Sequence, residues 1–155
     1  MLWQAPEVEL FDLTSKSGIS NIVWSPLAQG LLTGKYLPGQ PAPAGTRFAS
    51  ETMGFAQGLV NSEAAAEAVQ RLVPLAEGAG ISMPTLALTW VLRRSEVASA
   101  IIGASRPEQV HANGIASGVE LSDELLAAAD EALGDVPVTK VTPGPNAQTG
   151  ITHRS

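Results

Sequence analysis

Residues 24–36 read Trp24-Ser25-Pro26-Leu27-Ala28-Gln29-Gly30-Leu31-Leu32-Thr33-Gly34-Lys35-Tyr36. The run just before them, Ile19-Ser20-Asn21-Ile22-Val23-Trp24, is β-branched and aromatic, the composition of a short buried strand. Ser25-Pro26 ends that strand abruptly, and Gly30 to Tyr36 has room for a short helical turn. A strand that runs into a small-residue turn and then a helix is the building unit of an α/β fold.

Working outward, Pro6 at a first helical position and Gly18 as a stop predict a helix over 6–17, carrying Val8, Leu10, Phe11 and Leu13 on its apolar face. Residues 25–61 are rich in Pro and Gly, and Pro38 to Gly45 reads as loop. Long loops in compact domains tend to carry function. A helix capped by Ser62 is expected over 62–79, with Pro74 kinking or breaking it. A third, over 83–94, is apolar on most sides and should be largely buried. Val97 to Ile102 supplies the second strand. The turn Gly103-Ala104-Ser105-Arg106-Pro107 leads into a helix to about Ala116, and Ser122 caps a last one ending at Gly134. From Val136 onward the chain is expected to be extended or disordered.

Strand and helix alternate, so the sheet should be parallel. Only two strands are convincing, and a parallel pair needs covering on both faces. The reading is therefore of an incomplete fold, although 155 residues lie within the ordinary domain range.

Composition narrows the function. The net charge is −6 and nine scattered Lys and Arg residues form no basic stripe, which argues against nucleic acid as a partner. Cysteine is absent, so thiolate chemistry and Cys-ligated zinc are excluded. No His or acidic cluster points to a metal. The apolar runs are far short of the ~20 residues that span a bilayer, and the first residues do not read as a signal peptide. A cytoplasmic protein without membrane contact is the expectation.

The two strand-to-helix turns are where phosphate binds in α/β folds, because free N–H groups and the helix dipole favour anions. Both turns carry hydroxyls and nearby cations: Ser25 and Lys35 at the first, Ser105 and Arg106 at the second. Ser, Gly and Pro are equally the ordinary residues of turns, and both readings stay open. Gly30-x-x-x-Gly34-Lys35-Tyr36 is not a P-loop, being one residue short between glycines and lacking Ser or Thr after the Lys. His111 reads as a solvated helix-face residue, and Ser25 and Ser105 lack a His base.

Residues 24–36 resemble the aldo-keto reductase superfamily, most closely the branch with the potassium-channel β subunits and their bacterial relatives. Ile101-Ile102-Gly103-Ala104-Ser105-Arg106-Pro107-Glu108-Gln109-Val110 with Asn113, and Ala87-Leu88-Thr89-Trp90-Val91-Leu92-Arg93, are similar to further blocks of the same family in the same order. The resemblance implies a (β/α)₈ barrel that binds NADP(H) and reduces aldehydes or ketones by hydride transfer. It would make residues 20–25 barrel strand seven and 98–103 strand eight, with the first six strands absent. Residues 1–135 would be the C-terminal half of the barrel and 136–155 a tail, Met1 then standing for an internal methionine.

By the same resemblance Trp24 would stack on the nicotinamide. Ser25, Pro26, Leu27, Ala28 and Gln29, with Lys35 and Arg47, would hold the diphosphate side. Gly103, Ser105, Arg106, Gln109 and Asn113 would hold the 2′-phosphate end of the adenosine. Ala112 stands where the family often has Glu beside the adenine. Nothing in the chain matches the family's catalytic Asp, Tyr, Lys and His, so no catalytic residue is assigned, and the chain alone is expected to be inactive. The implied partner is a complementary first half of the barrel or a second copy, and the other reading is a non-catalytic half-barrel that binds nucleotide or oligomerises.

Overall fold

The computed structural model describes residues 1–8, 10–50 and 62–140. Helical backbone opens the chain at Ala5–Val8 (α1) and Leu10–Lys16 (α2), the two stretches lying on either side of residue 9, which is outside the described residues. Gly18, at φ +67°, turns the chain into strand β1 (Asn21–Trp24). A 3₁₀ segment follows at Ala28–Thr33 and another at Arg47–Ala49. Then come α3 (Glu63–Gly78), α4 (Met83–Leu92), strand β2 (Val97–Ile101), α5 (Pro107–Gly114), a 3₁₀ turn at Ile115–Gly118 and α6 (Asp123–Leu133).

Three of these helices start for the same reason. Ser62, Ser82 and Ser122 each adopt extended backbone and accept a hydrogen bond from the N–H three residues on, satisfying one of the donors a helix start leaves unpaired. The expected break at Pro74 does not occur, and α3 runs through it to Gly78. Pro removes one backbone bond, but Val69 and Leu72 before it and Ala76 after it are all buried and hold both halves of the helix to one core. The two expected strands are present, each slightly shorter than read from sequence.

β1 and β2 pair in parallel, Trp24 opposite Ile101, with a register shift between Asn21 and Ile22. Among the described residues this is the whole sheet. The core lies to one side of it, where α3 packs on α6 and α4 is buried almost all round through Leu86, Ala87, Leu88 and Trp90. α3 and α4 meet at 94°. No single helix among the described residues is long and apolar enough to cross a membrane.

β1 departs from the buried strand that its composition predicts. Ile22 and Trp24 are 65% and 72% exposed, and Ile101 beside them on β2 is 59% exposed. Along β1 exposure alternates, Ile22 and Trp24 facing solvent, while on β2 Ala98, Ser99 and Ile101 are exposed, so the pair is left incompletely covered.

Val138 forms a parallel bridge with Trp3: Gln4 N–H donates to the Val138 carbonyl (2.8 Å) and Val138 N–H to the Leu2 carbonyl (2.9 Å). Residues 141–155 of the tail, including His153, lie outside the described residues.

Candidate functional site

Because β1 and β2 are parallel neighbours, their C-terminal ends lie at the same edge of the sheet, and the turns after Trp24 and after Ile101 leave from that edge together. The first turn is unusual in its backbone. Ser25, Ala28 and Gln29 all have positive φ (50°, 48° and 58°), followed by Gly30 at 99°. Side chains rarely adopt this region, at a cost of about 1 kcal/mol or more each. Surrounding packing maintains the turn, since Pro26, Ala28, Leu31 and Leu32 are buried beneath it. The polar side chains are left above. Gln29 Nε2 donates to Ser25 Oγ at 2.8 Å, and Arg47 Nη1 donates to Gln29 Oε1.

Two cations reach this turn from the long loop. Lys35 follows Gly34, whose φ of 78° reverses the chain, and its Nζ lies 5.2 Å from the Tyr36 ring centre and close over Gly30. Arg47 is carried in by Phe48, which is buried against Tyr36 with ring centres 4.5 Å apart. Gln70 of α3 fixes the loop's start, donating to the carbonyls of Gly34 and Tyr36 at 2.9 and 3.2 Å. Phe48 and Gln70 carry no motif that marks them in the sequence, whereas Tyr36 stands within the quoted stretch. The aromatic residue after Lys35 was the available signal.

The second turn is closed on itself. Gln109 Oε1 accepts from the Ser105 backbone N–H (2.8 Å) and is also within 3.2 Å of the Ser105 hydroxyl. Gln109, in the first turn of α5, thus ties back to the turn that precedes the helix. Arg106 projects into solvent, Asn113 lies half-buried one helical turn beyond Gln109, and Gly103 has open space where a Cβ would stand. Among the described residues Lys35, Arg47 and Arg106 form no ion pair, whereas Lys16, Arg93 and Arg94 each have a carboxylate partner.

Trp24 and the first turn also border a cleft of about 380 Å³ beside β1, walled on its other side by Met1, Leu2 and Phe11. The structure therefore gathers Ser25, Gln29, Lys35 and Arg47 at one turn, places Gly103, Ser105, Arg106, Gln109 and Asn113 at the next, and leaves Leu27 packed against the core rather than presented to solvent.

The model of the aldo/keto reductase family matches residues 1–133. The chain belongs to the aldo/keto reductase family. Similar members include L-glyceraldehyde 3-phosphate reductase of Escherichia coli K12, 37% identical over 128 residues, which is 81% of this chain and 37% of that protein. The same-named protein of E. coli O157:H7 is equally similar. A putative voltage-gated potassium channel subunit beta of Schizosaccharomyces pombe is 36% identical over 138 residues, covering 85% of this chain and 39% of that protein. The chain thus spans under two fifths of the length of these relatives.

Proposed function

We propose that this chain is the NADP(H)-binding portion of an aldo/keto reductase that reduces aldehydes or ketones, its β1 and β2 forming strands seven and eight of a (β/α)₈ barrel. One observation carries the reading: two adjacent parallel strands deliver two polar, cation-bearing turns to one edge of the sheet. NADPH, when bound, supplies the hydride. Its two anionic regions, a diphosphate and a 2′-phosphate, call for two separate clusters of donors. Ser25, Lys35 and Arg47 fit the first and Ser105, Arg106 and Asn113 the second, with three cations not neutralised by a described carboxylate. Arg106 favours NADP over NAD by pairing with the 2′-phosphate. Exposed Trp24 offers its ring to the nicotinamide.

The chain's role is to bind and orient the nucleotide, and the proton for carbonyl reduction comes from outside it. Tyr36 is 5% exposed, packed on Phe48 within the core, which removes it as a proton donor to substrate.

Titrating the chain with NADPH while following Trp fluorescence tests the reading. Saturable quenching below about 1 mM, weaker for NADH and reduced by Arg106→Ala, is expected. No saturable change would overturn it.

The exposed strand face favours a second reading, in which the chain works as an interaction module. Ile22, Trp24 and Ile101 present an apolar surface beside an edge of β1 that no strand pairs among the described residues, suited to a complementary barrel half or a second copy. Light scattering separates the two: a stable dimer of the 16.0 kDa chain without nucleotide affinity supports the interaction role.

A further inference from the structure

Gln29 makes two hydrogen bonds with opposite polarity. Arg47 has only N–H donors, so the atom of Gln29 that it meets must be the amide oxygen, which leaves the NH₂ group for Ser25. The side chain is therefore fixed in orientation by both partners. Its backbone is in the left-handed region, directly before a glycine that would adopt it without strain. Arg47 lies 18 residues further on, and Phe48 and Tyr36 bring it near without determining where its guanidinium points.

We infer that Gln29 is a positioning residue: its amide ties the Arg47 guanidinium to Ser25, so that the long loop presents its cation over the turn after β1. The use of that cation for a nucleotide diphosphate rests on the function proposed above; the tie itself does not. A neutral amide suits this task. A carboxylate at the same place would hold Arg47 more firmly but cancel the charge that an anionic ligand needs. An apolar side chain would leave the charge and free the guanidinium.

The ligand-free test is limited trypsin digestion of the full chain, comparing cleavage after Arg47 with cleavage after the distant Lys16. Gln29→Ala should raise the Arg47:Lys16 ratio several-fold, and Gln29→Glu should leave it at or below the parent value. An unchanged ratio in Gln29→Ala overturns the tie. The ligand test compares NADPH with 2′,5′-ADP, which has the 2′-phosphate but no diphosphate. Both variants should weaken NADPH several-fold and leave 2′,5′-ADP unchanged, whereas a general loss of structure would weaken both alike and overturn the inference. If the parent chain binds neither nucleotide, the proposed function falls while digestion still decides whether Gln29 holds Arg47.

Discussion

The guanidinium carbon of Arg93 lies 3.4 Å from the centre of the Trp90 ring, and the same group donates to Glu7 Oε2 at 2.9 Å. One side chain thus clamps α1 to the end of α4, combining a cation–π contact with an ion pair whose members are each less than a quarter exposed. Arg93→Met should cost about 1–2 kcal/mol. Arg93→Lys should recover only part of this, because an ammonium lacks the planar fork that stacks and pairs at once. Urea unfolding followed by far-UV circular dichroism gives the comparison, and a parent-like midpoint for Arg93→Met would refute the clamp.

Gly34 and Gly18 share a left-handed backbone but differ in surroundings. A Cβ on Gly34 would meet Val73 Cγ2 at 3.0 Å, whereas one on Gly18 would meet nothing within 4 Å. Gly18→Ala should therefore cost only the conformational part, about 1 kcal/mol. Gly34→Ala should cost more, roughly 2 kcal/mol, since the start of the long loop must move off α3. Thermal midpoints of the two variants should fall in that order.

Removal of a helix cap is a cleaner test of local structure. Ser62→Ala and Ser122→Ala should each lose about 1 kcal/mol, with Gly at the same positions losing less. Ser82→Ala should lose somewhat more, because Ser82 Oγ also shares a hydrogen bond with Thr85 Oγ1 at 2.8 Å. Equal stability of Ala and Ser at all three would contradict the capping geometry.

Acid should weaken the fold through two carboxylates. Glu96 is held below the ordinary carboxylate range by its own backbone N–H and by Arg94, and Glu124 by its own backbone N–H and the Ser122 hydroxyl. A folded-state value below the unfolded one means the contribution is in place above the ordinary carboxylate range and disappears as pH falls through the folded value. Glu96→Gln and Glu124→Gln should flatten the decline in thermal midpoint below about pH 4.5. Profiles parallel to the parent would show that neither group contributes.

Interactions spanning three or four residues were legible in the sequence: the Ser62 and Ser122 caps, the Gly18 stop and the apolar roundness of α4 all follow from local rules. The two turns were legible as well, since each strand ends in a short run of small and polar residues. Exposure of Ile22 and Trp24 was not, because a strand's composition records the cover it is suited to, while the cover present depends on which other elements exist. Nor was the meeting of Gln29 with Arg47, which depends on Phe48 finding Tyr36 across a loop of no regular pattern. A break at Pro74 does not follow for the opposite reason: its local penalty is real, but the buried residues on either side of it outweigh the loss of one hydrogen bond.

The bridge between Trp3 and Val138 makes the first and the last of the described residues mechanically one object. Its two hydrogen bonds run between parallel segments, so a pull that separates residue 1 from residue 140 loads both in shear, and they must rupture together rather than peel one after the other. Fraying at either end is then a single event, and the slower-opening end sets the rate for both.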